Sequence, residues 1–405
     1  MRIVFLHPFL GLGGAERLVV DAAVELQERG HDIEIVTLQH DPDHAFPETV
    51  DGTLRVRVQA TGISSSSLAS PRAFRAIAGM RSMARAVARR PAQPEIYFCD
   101  LTAHALPLLR RRSDAKVVFY CHFPDKLLAP AGRGGLHRAY RACIEWLEES
   151  GLRAADKILV NSRFTAAKFR EAFPGLEDVE PEVVYPGVPI DRRPPTRPPV
   201  TSDGTPDQAS FDVVSINRFD PPKNLGLAIE ALAALRDAVE PAEFARVRLV
   251  MAGALDERLP EQVATLRGLR ELTHRLGLEE RVVFRVSISA AECTRLLGNA
   301  RCLVYTPSFE HFGIVPIEAM LAGTPVVTTN SGGVRETVKH GETGFLCDAR
   351  PEKFASAIAR FLLDPQLAED MGRAGKRRVV ECFSRQRFGD QLDAIVRSVG
   401  SRRKP

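Results

Sequence analysis

Two series of short apolar runs, each run followed by an amphipathic stretch, divide this chain of 405 residues into two halves. The runs of the first half lie at residues 1–7, 32–37, 96–99, 116–121 and 157–160, and those of the second at 211–216, 248–253, 282–286, 302–305 and 325–329. Strands of a parallel sheet that is covered on both faces have this continuous apolar character, and the stretches between them predict crossover helices. We therefore predict an α/β protein of two Rossmann-like, doubly wound domains that face each other across a cleft.

The predicted domain boundaries follow the break between the two series. Residues 1–190 form the first domain, residues 187–210 a proline-rich interdomain linker, and residues 211–380 the second domain. A final helix is predicted within residues 381–405, and packing back on the first domain is one arrangement open to it. Two domains are expected on size alone, because one hydrophobic core seldom supports a chain of this length.

The composition is that of an ordinary globular protein, with 44% hydrophobic and 26% charged residues and a net charge of +4. Such a small charge does not indicate nucleic-acid binding, and seven scattered cysteines without a Cys-x-x-Cys pair indicate neither a disulfide framework nor a zinc site. No apolar run reaches the ~18 residues typical of a membrane-spanning helix, and the chain opens on a strand pattern without a signal peptide. We therefore expect a cytosolic location.

Two glutamates eight positions apart, Glu310 and Glu318, form the most informative candidate site. Glu310 is placed in the loop after the strand at 302–305, and Glu318 in the helix that follows. Carboxylates accept hydrogen bonds from hydroxyl groups, so we expect Glu310 to bind a sugar and Glu318 both hydroxyls of a ribose. Two solvated surface acids are the alternative, which the apolar residues between them disfavour.

The start of that helix is a second candidate for ligand binding. Pro316 fits its first turn, where a missing N–H group costs nothing. Backbone N–H groups that precede the first full turn attract phosphates or clusters of hydroxyls. In this sequence the groups belong to Phe312, Gly313, Ile314 and Val315.

Positively charged and glycine-rich loops offer sites for a diphosphate. Arg218 and Lys223 follow the first strand of the second half, and they suit a diphosphate unless they are merely solvated surface cations. Gly13 and Gly14, after the first strand of the chain, allow close approach of the backbone to a phosphate, although a plain tight turn is the alternative. A glycine pair at 332–333 also permits close approach. The one Asp-x-Asp string of the chain, at residues 41–43, lies outside the second half, where the nucleotide is expected, which disfavours a nucleotide held through a metal.

His122 ends the strand at 116–121 and is expected at the cleft edge of the first domain. It could hydrogen-bond a sugar hydroxyl or stabilise charge during group transfer, and a structural histidine is the alternative.

These motifs together resemble glycosyltransferase family 4, whose members are retaining enzymes of the GT-B fold. The resemblance covers both halves and narrows to the dolichol-pathway α-1,3/1,6-mannosyltransferases through five strings: HPFLGLGGAERLV, YCHFPDKLL, LVNSRFTA, SINRF and YTPSFEHFGIVPIEAM. It implies GDP-mannose as the donor and a mannosyl-chitobiosyl diphosphate on dolichol or another polyprenol as the acceptor, with α-1,3 and α-1,6 linkages formed.

The resemblance also assigns roles to individual residues. Glu318 would hold the ribose, Glu310 and His311 the mannose, Arg218 and Lys223 the diphosphate, and His122 the sugar from the first domain. No cofactor or metal is expected to be required. The enzyme would act as a peripheral protein on the cytoplasmic face of a membrane, the endoplasmic reticulum in a eukaryote.

Residues 71–90 depart from the eukaryotic members, which carry a strongly hydrophobic segment in the first domain. Here apolar residues recur at helical spacing among six arginines. Such a basic amphipathic helix is suited to an anionic membrane surface. An ordinary helix docked on the sheet of the first domain is an equally open interpretation.

Three other functions remain open from the sequence. One is a family 4 glycosyltransferase that acts on a different polyprenyl-linked or lipid acceptor. The second is a nucleotide-sugar epimerase, which needs acid and base groups at the anomeric carbon and no surface facing a lipid. The third is a nucleotide-binding module without enzymatic activity.

Overall fold

The computed structural model describes residues 1–60, 72–128, 135–190 and 210–401, without the side chains of residues 72–76 and 135–141. The chain divides into two compact units, the first made of Met1–Gly187 and Arg385–Pro405 and the second of Val188–Ser384. Most of the predicted linker, residues 191–209, lies outside the described residues.

The first unit is built on a parallel sheet, seven-stranded within the described residues, with the order β3-β2-β1-β4-β5-β6-β7. Its strands are β1 (Arg2–Leu10), β2 (Asp32–His40), β3 (Arg55–Val58), β4 (Ile96–Asp100), β5 (Lys116–Cys121), β6 (Lys157–Val160) and β7 (Glu182–Val183). Its helices are α1 (Gly14–Glu28), α2 (Arg72–Val87), α3 (Leu106–Arg110), α4 (Asp125–Leu128), α5 (Gly135–Leu152), α6 (Arg163–Ala172) and, from the end of the chain, α15 (Arg385–Ser401).

Helix α15 packs on α1 within the first unit. Its buried Leu392 and Val396 join the hydrophobic cluster that α1 forms on one face of the sheet. Polar contacts continue the interface, with Asp390 accepting from Arg29 at 2.7 Å and Asp393 from His31 at 2.6 Å. The last helix therefore covers the sheet of the first unit although it follows the second unit in the chain.

The second unit has its own parallel sheet, six-stranded within the described residues, with the order β10-β9-β8-β11-β12-β13. Its strands are β8 (Phe211–Ile216), β9 (Val247–Gly253), β10 (Val282–Val286), β11 (Cys302–Tyr305), β12 (Val326–Thr329) and β13 (Gly344–Cys347). Its helices are α7 (Gly226–Ala238), α8 (Pro241–Phe244), α9 (Pro260–Arg275), α10 (Ala290–Asn299), α11 (Ile314–Leu321), α12 (Val334–Thr337), α13 (Pro351–Leu363) and α14 (Pro365–Cys382).

The two sheets confirm the predicted pair of doubly wound α/β domains and locate the point where each strand order reverses. In the first sheet the reversal lies between β1 and β4, and in the second between β8 and β11. Ligands of open parallel sheets bind at the carboxyl ends of the strands at such reversals. We therefore expect ligands to bind near the carboxyl ends of β1, β4, β8 and β11.

The apolar side of α2 is buried in the first unit, which corrects the interpretation that this side lies on a membrane. Met80, Met83 and Val87 are at most 1% exposed and belong to the core cluster on one face of the sheet. Buried side chains of this kind stabilise the domain and cannot also enter a lipid layer. Among the arginines, Arg81 donates to the His104 carbonyl at 2.9 Å, whereas Arg85 is exposed. Within the described residues no helix is both long and apolar enough to cross a membrane.

Candidate active site

Lys223 and Glu310 meet at the strand-order reversal of the second unit. Lys223 ends a 3-10 turn, Pro221–Lys223, after β8, and Glu310 lies in the loop after β11. The Lys223 ammonium donates to Glu310 Oε2 at 2.8 Å, and the hydroxyl of Tyr305, the last residue of β11, donates to the same oxygen at 2.7 Å. The sequence predicts Lys223 and Glu310 as two separate ligand-binding residues, and the strand order brings them together as an ion pair.

The pair is only partly open to solvent, with 23% of the Lys223 side chain and 18% of the Glu310 side chain exposed. Burial by itself raises the pKa of Glu310, but the Lys223 charge, its hydrogen bond and the Tyr305 hydroxyl together hold that pKa below its ordinary value. Burial, followed by the charge of Glu310, raises the pKa of Tyr305 well above its ordinary value. Glu310 is therefore an ionised carboxylate at neutral pH, and Tyr305 is a hydrogen-bond donor.

Two loops hold this pair in place. Thr306 donates its hydroxyl to the Lys223 carbonyl at 2.8 Å, and the Gly333 amide donates to the Glu310 carbonyl at 2.8 Å. A Cβ atom at Gly332 would clash with the Glu310 carbonyl oxygen, and Gly332 has φ +68°, which side chains rarely adopt. The glycine pair at 332–333 therefore permits the close approach of one loop to another.

The helix predicted near Gly313 begins at Ile314, with Gly313 as its N-cap at φ 88°. The N–H groups of Ile314 and Val315 lie in the first turn, where they have no partner within the helix. Phe312, by contrast, is buried and packs edge-on against Phe383, with 5.9 Å between the ring centroids. Its side chain is thus part of the core, and only its backbone remains a candidate for ligand binding.

Glu318 lies on α11 beside the neighbouring helix α10. Burial, with a further contribution from the Glu318 charge, raises the pKa of the Cys293 thiol on α10 to about 12. His311, in the loop before α11, is among the charges that lower the pKa of Glu310. The structure therefore places His311 near Glu310, and Glu318 against α10.

Arg218 and Asn217 follow β8 directly. Arg218 has 66% of its side chain exposed and forms an ion pair with Asp220 at 3.0 Å. The side-chain amide nitrogen of Asn217 is buried and has no hydrogen-bond partner within the described residues. An unpaired buried donor is costly, so a ligand oxygen that accepted this hydrogen bond would stabilise the site.

His122 follows β5 in the first unit, near the reversal between β1 and β4. Its Nε2 lies 3.0 Å from Asp100 Oδ2 at the end of β4. The same carboxylate contacts Nδ1 of His7 on β1, at 2.8 and 3.0 Å from its two oxygens. Asp100 is 1% exposed and His7 is fully buried, whereas 19% of the His122 side chain is exposed. His122 is therefore the member of this cluster that a ligand can reach.

Gly13 and Gly14 lie at the start of α1, with Gly13 in the N-cap position and in an extended conformation. The carboxylate of Glu16, in the first turn of this helix, lies directly against Gly13. It therefore places a negative charge beside the loop that was expected to bind a diphosphate. A diphosphate could bind there only if the Glu16 carboxylate moved aside, because the two negative charges repel each other.

Three residues at these sites were not identified as site residues from the sequence. Tyr305 ends β11 and His7 lies on β1, so both read as parts of buried apolar runs, whereas Asp100 ends β4 one residue past the run predicted at 96–99. A polar residue at the carboxyl end of such a run is the signal that could have found them. Among the described residues no cluster of three or more His, Cys, Asp or Glu side chains could hold a metal ion.

Comparisons with known proteins match both halves of the chain. The family model for Glycosyltransferase Family 4 matches residues 12–192, and the model for Glycosyl transferases group 1 matches residues 202–378. The chain is 41% identical over 398 residues to the alpha-1,3/1,6-mannosyltransferase ALG2 of Homo sapiens, covering 97% of this chain and 95% of the relative. It is 38% identical over 425 residues to the protein of the same name from Rhizomucor pusillus, covering 98% of this chain and 91% of the relative.

The fold has a close counterpart among solved structures. The sucrose-phosphate synthase of Thermosynechococcus elongatus superposes with a TM-score of 0.76 at 20% identity, covering 98% of this chain and 99% of that one. At this level of identity the similarity concerns the fold alone.

Proposed function

The chain belongs to the alpha-1,3/1,6-mannosyltransferase family, and we propose that it transfers mannose from GDP-mannose to a mannosyl-chitobiosyl diphosphate carried by a polyprenol such as dolichol. The observation that carries this proposal is the similarity to these enzymes over nearly the whole chain. It favours glycosyl transfer over an epimerase or a binding module without activity. The acceptor would be extended first by one linkage, α-1,3 or α-1,6, and then by the other.

The second unit is proposed to bind the donor. Lys223 and the exposed Arg218 would balance the charge of the diphosphate, one as a point charge and the other through paired hydrogen bonds. Glu318 would accept from the ribose hydroxyls, and the backbone at Phe312, Gly313, Ile314 and Val315 would donate to the phosphate or sugar. Asn217 supports this assignment, because its buried amide nitrogen has no partner in the described part of the chain.

Glu310 and His311 are proposed to bind the mannose. Glu310 is ionised and already oriented by two donors, so it can accept a sugar hydroxyl without reorganising. In the first unit, His122 is proposed to hydrogen-bond a sugar hydroxyl. Gly13 and Gly14 contribute backbone donors only if the Glu16 carboxylate moves away from Gly13.

The proposed reaction retains the configuration of the anomeric carbon. The bond between that carbon and the diphosphate breaks, a bond to an acceptor hydroxyl oxygen forms, and the hydroxyl proton passes to the departing phosphate. Lys223 and Arg218 stabilise the negative charge that develops on the diphosphate. With two cations available for this role, no metal ion is proposed to be required.

The proposal includes peripheral association with the cytoplasmic face of a membrane, the endoplasmic reticulum in a eukaryote. Because the apolar residues Met80, Met83 and Val87 are buried, contact through this region would rest on exposed arginines such as Arg85 on α2 and Arg89 just after it. The double change Arg85→Gln and Arg89→Gln should then weaken sedimentation with anionic liposomes and slow transfer to a long-chain acceptor, but not to a short soluble one. Unchanged binding would place the membrane contact elsewhere.

The transfer assay uses the purified chain, GDP-mannose and a mannosyl-chitobiosyl diphosphate on a short polyprenol. Stepwise addition of two mannoses is expected, and mass spectrometry with linkage-specific mannosidases identifies the products. Transfer to a different lipid acceptor only would indicate another family 4 activity, whereas turnover of the donor to an epimer would support the epimerase.

Donor choice is tested by thermal unfolding with GDP or UDP. A ligand at about 100 times its dissociation constant adds about 2.7 kcal/mol to the free energy of unfolding. GDP should raise the melting temperature more than UDP, and Lys223→Met should reduce the shift. The matched control is Lys376→Met, which removes an exposed lysine from α14 and should leave the shift unchanged. An equal response to both nucleotides would contradict the choice of GDP-mannose.

A further inference from the structure

We propose that His7 and Asp100 are positioning residues that hold His122 neutral, with its proton on Nε2, so that Nδ1 accepts a hydrogen bond from a substrate hydroxyl. The inference rests on the proposed function for the identity of that hydroxyl, which would belong to a sugar. The positions of the protons depend on residues of the first unit alone.

The hydrogen-bond partners of His7 require protons on both of its ring nitrogens. Nε2 lies 3.0 Å from the carbonyl oxygen of Phe9, which can only accept, so Nε2 carries a proton. Nδ1 lies 2.8 Å from Asp100 Oδ1, and the proton between them belongs on the imidazole, which is the stronger base. His7 is thus an imidazolium ion, and with the Asp100 carboxylate it forms a buried pair of zero net charge.

The surroundings favour this charge state. Burial by itself lowers the pKa of His7, but Asp100 and then Glu16 on α1 raise it above its ordinary value. Burial by itself raises the pKa of Asp100, yet the charge of His7, the hydrogen bonds from both histidines and, as the smallest contribution, the charge that His122 carries when protonated hold it below its ordinary value. Burial raises the pKa of Cys99, Tyr120 and Cys121, which lie near the carboxyl ends of the two strands beside this cluster, so these three groups remain neutral.

Asp100 Oδ2, which also lies close to His7, orients the ring of His122. Its Nε2 lies 3.0 Å from Asp100 Oδ2, and its backbone carbonyl accepts from Asn161 at 2.9 Å. Its Nδ1 has no hydrogen-bond partner within the described residues. This atom is accessible to solvent, because it is absent from the buried atoms that lack a partner. Since His7 already balances the Asp100 charge, the carboxylate does not draw a second proton onto His122. The accessible nitrogen therefore keeps its lone pair.

This arrangement determines which group His122 can bind. A neutral ring with its proton on Nε2 accepts at Nδ1 and selects a hydroxyl that donates, whereas a doubly protonated ring could only donate there. If His7 were lost, Asp100 would become a buried carboxylate that, among the described residues, is left with His122 as the partner that could balance its charge. His122 would then take up a proton more readily and lose its capacity to accept.

The first test is nuclear magnetic resonance of the histidine rings in the full chain labelled with nitrogen-15, without any substrate. At pH 7 we expect His7 to carry protons on both ring nitrogens and His122 to carry one, on Nε2. A wild-type spectrum with a singly protonated His7, or with the His122 proton on Nδ1, would overturn the proposal, and this outcome needs no variant to fold.

The second test compares His7→Gln with a matched control, His31→Gln. His31 is also a buried histidine of the first unit, with Nε2 bound to Asp393 at 2.6 Å, but it is not part of this cluster. At pH 7, His7→Gln should increase the fraction of His122 protonated on both nitrogens, and His31→Gln should not. No change in His122 in a folded His7→Gln protein, as judged by circular dichroism, would overturn the proposal.

The third test measures transfer across pH. At pH 7, His7→Gln should lower kcat/KM by about 2- to 13-fold, which corresponds to the loss of one hydrogen bond in the transition state. This loss of activity should become smaller at higher pH, because the additional proton then leaves His122. A loss that is the same at every pH would show that His7 acts only through the fold. If the wild type transfers no mannose at all, the proposed function fails, while the ring spectra still decide the proton arrangement.

Discussion

Removal of one oxygen atom, in Tyr305→Phe, tests whether Glu310 acts as an ionised carboxylate. Tyr305 is 3% exposed, and its hydroxyl donates to the Glu310 oxygen that also binds Lys223. Phenylalanine keeps the ring in its place at the end of β11, so the change removes the hydrogen bond and little of the packing. Glu310 then keeps Lys223 as its charged partner.

The size of the effect follows from the hydrogen bond that is lost. A hydrogen bond to a charged group contributes about 1.5–3 kcal/mol, and one pKa unit corresponds to about 1.4 kcal/mol. The pKa of Glu310 should therefore rise in this variant, although Lys223 remains 2.8 Å from the carboxylate and still favours its ionised form. The wild-type pKa is held below its ordinary value, so the stability this carboxylate contributes is present above the ordinary pKa and lost as pH falls through the folded one.

The assay is the pH profile of kcat/KM for GDP-mannose. If Glu310 must be ionised, the acid limb of Tyr305→Phe should lie at higher pH than that of the wild type. The two proteins should also differ in melting temperature near neutral pH, and the difference should shrink in acid, where Glu310 is protonated in both.

Tyr97→Phe is the matched control. Tyr97 is a buried tyrosine of the first unit whose hydroxyl donates to the neutral side chain of Gln93 at 2.6 Å. It should leave the acid limb in place. An unchanged acid limb in Tyr305→Phe, or an equal shift in both variants, would refute the assignment of Glu310.

Three further outcomes are expected. Glu318→Gln should lower kcat/KM for the donor by roughly ten- to more than a hundredfold without lowering the melting temperature, since an amide replaces a charged acceptor of the same size; wild-type kinetics would contradict the ribose assignment. EDTA should leave transfer unaffected because Lys223 and Arg218 supply the positive charge, and activity lost to EDTA and restored by magnesium or manganese would count against this. His7, with its raised pKa, contributes stability below its ordinary pKa of 6.5 that disappears as pH rises through the folded value; the difference in melting temperature between wild type and His7→Gln should therefore narrow at high pH.

Elements with strong local patterns were predictable from the sequence. Strands β5, β6, β8 and β11 lie inside their sheets and have the predicted bounds, because an internal parallel strand reads as an unbroken apolar run whatever lies beside it. The edge strand β10 also has the predicted bounds. The strands that the sequence did not reveal are short or lie near the sheet edges: β3, whose four residues alternate Arg and Val, the two-residue β7, and β13. Their pairing comes from the neighbouring strand, and their own residues carry little signal.

Helix α2 shows where a local pattern is ambiguous. A basic amphipathic stretch has the same periodicity whether its apolar side enters a lipid layer or a protein core. The burial of Met80, Met83 and Val87 decides for the core, and only the tertiary structure contains that information.

The candidate site likewise combines residue types that the sequence identified with contacts that only the tertiary structure determined. The sequence alone identified the residue types, with Glu310, Lys223 and His122 each placed after a strand, and near full-length similarity determined the family. The partners of these residues were decided by strand order. Lys223 and Glu310 are 87 residues apart, and His7 and Asp100 are 93 residues apart, yet neighbouring strands bring each pair together, β8 with β11 and β1 with β4. The local sequence does not indicate which strands become neighbours, because strands distant in sequence pair only when the whole sheet buries its apolar faces.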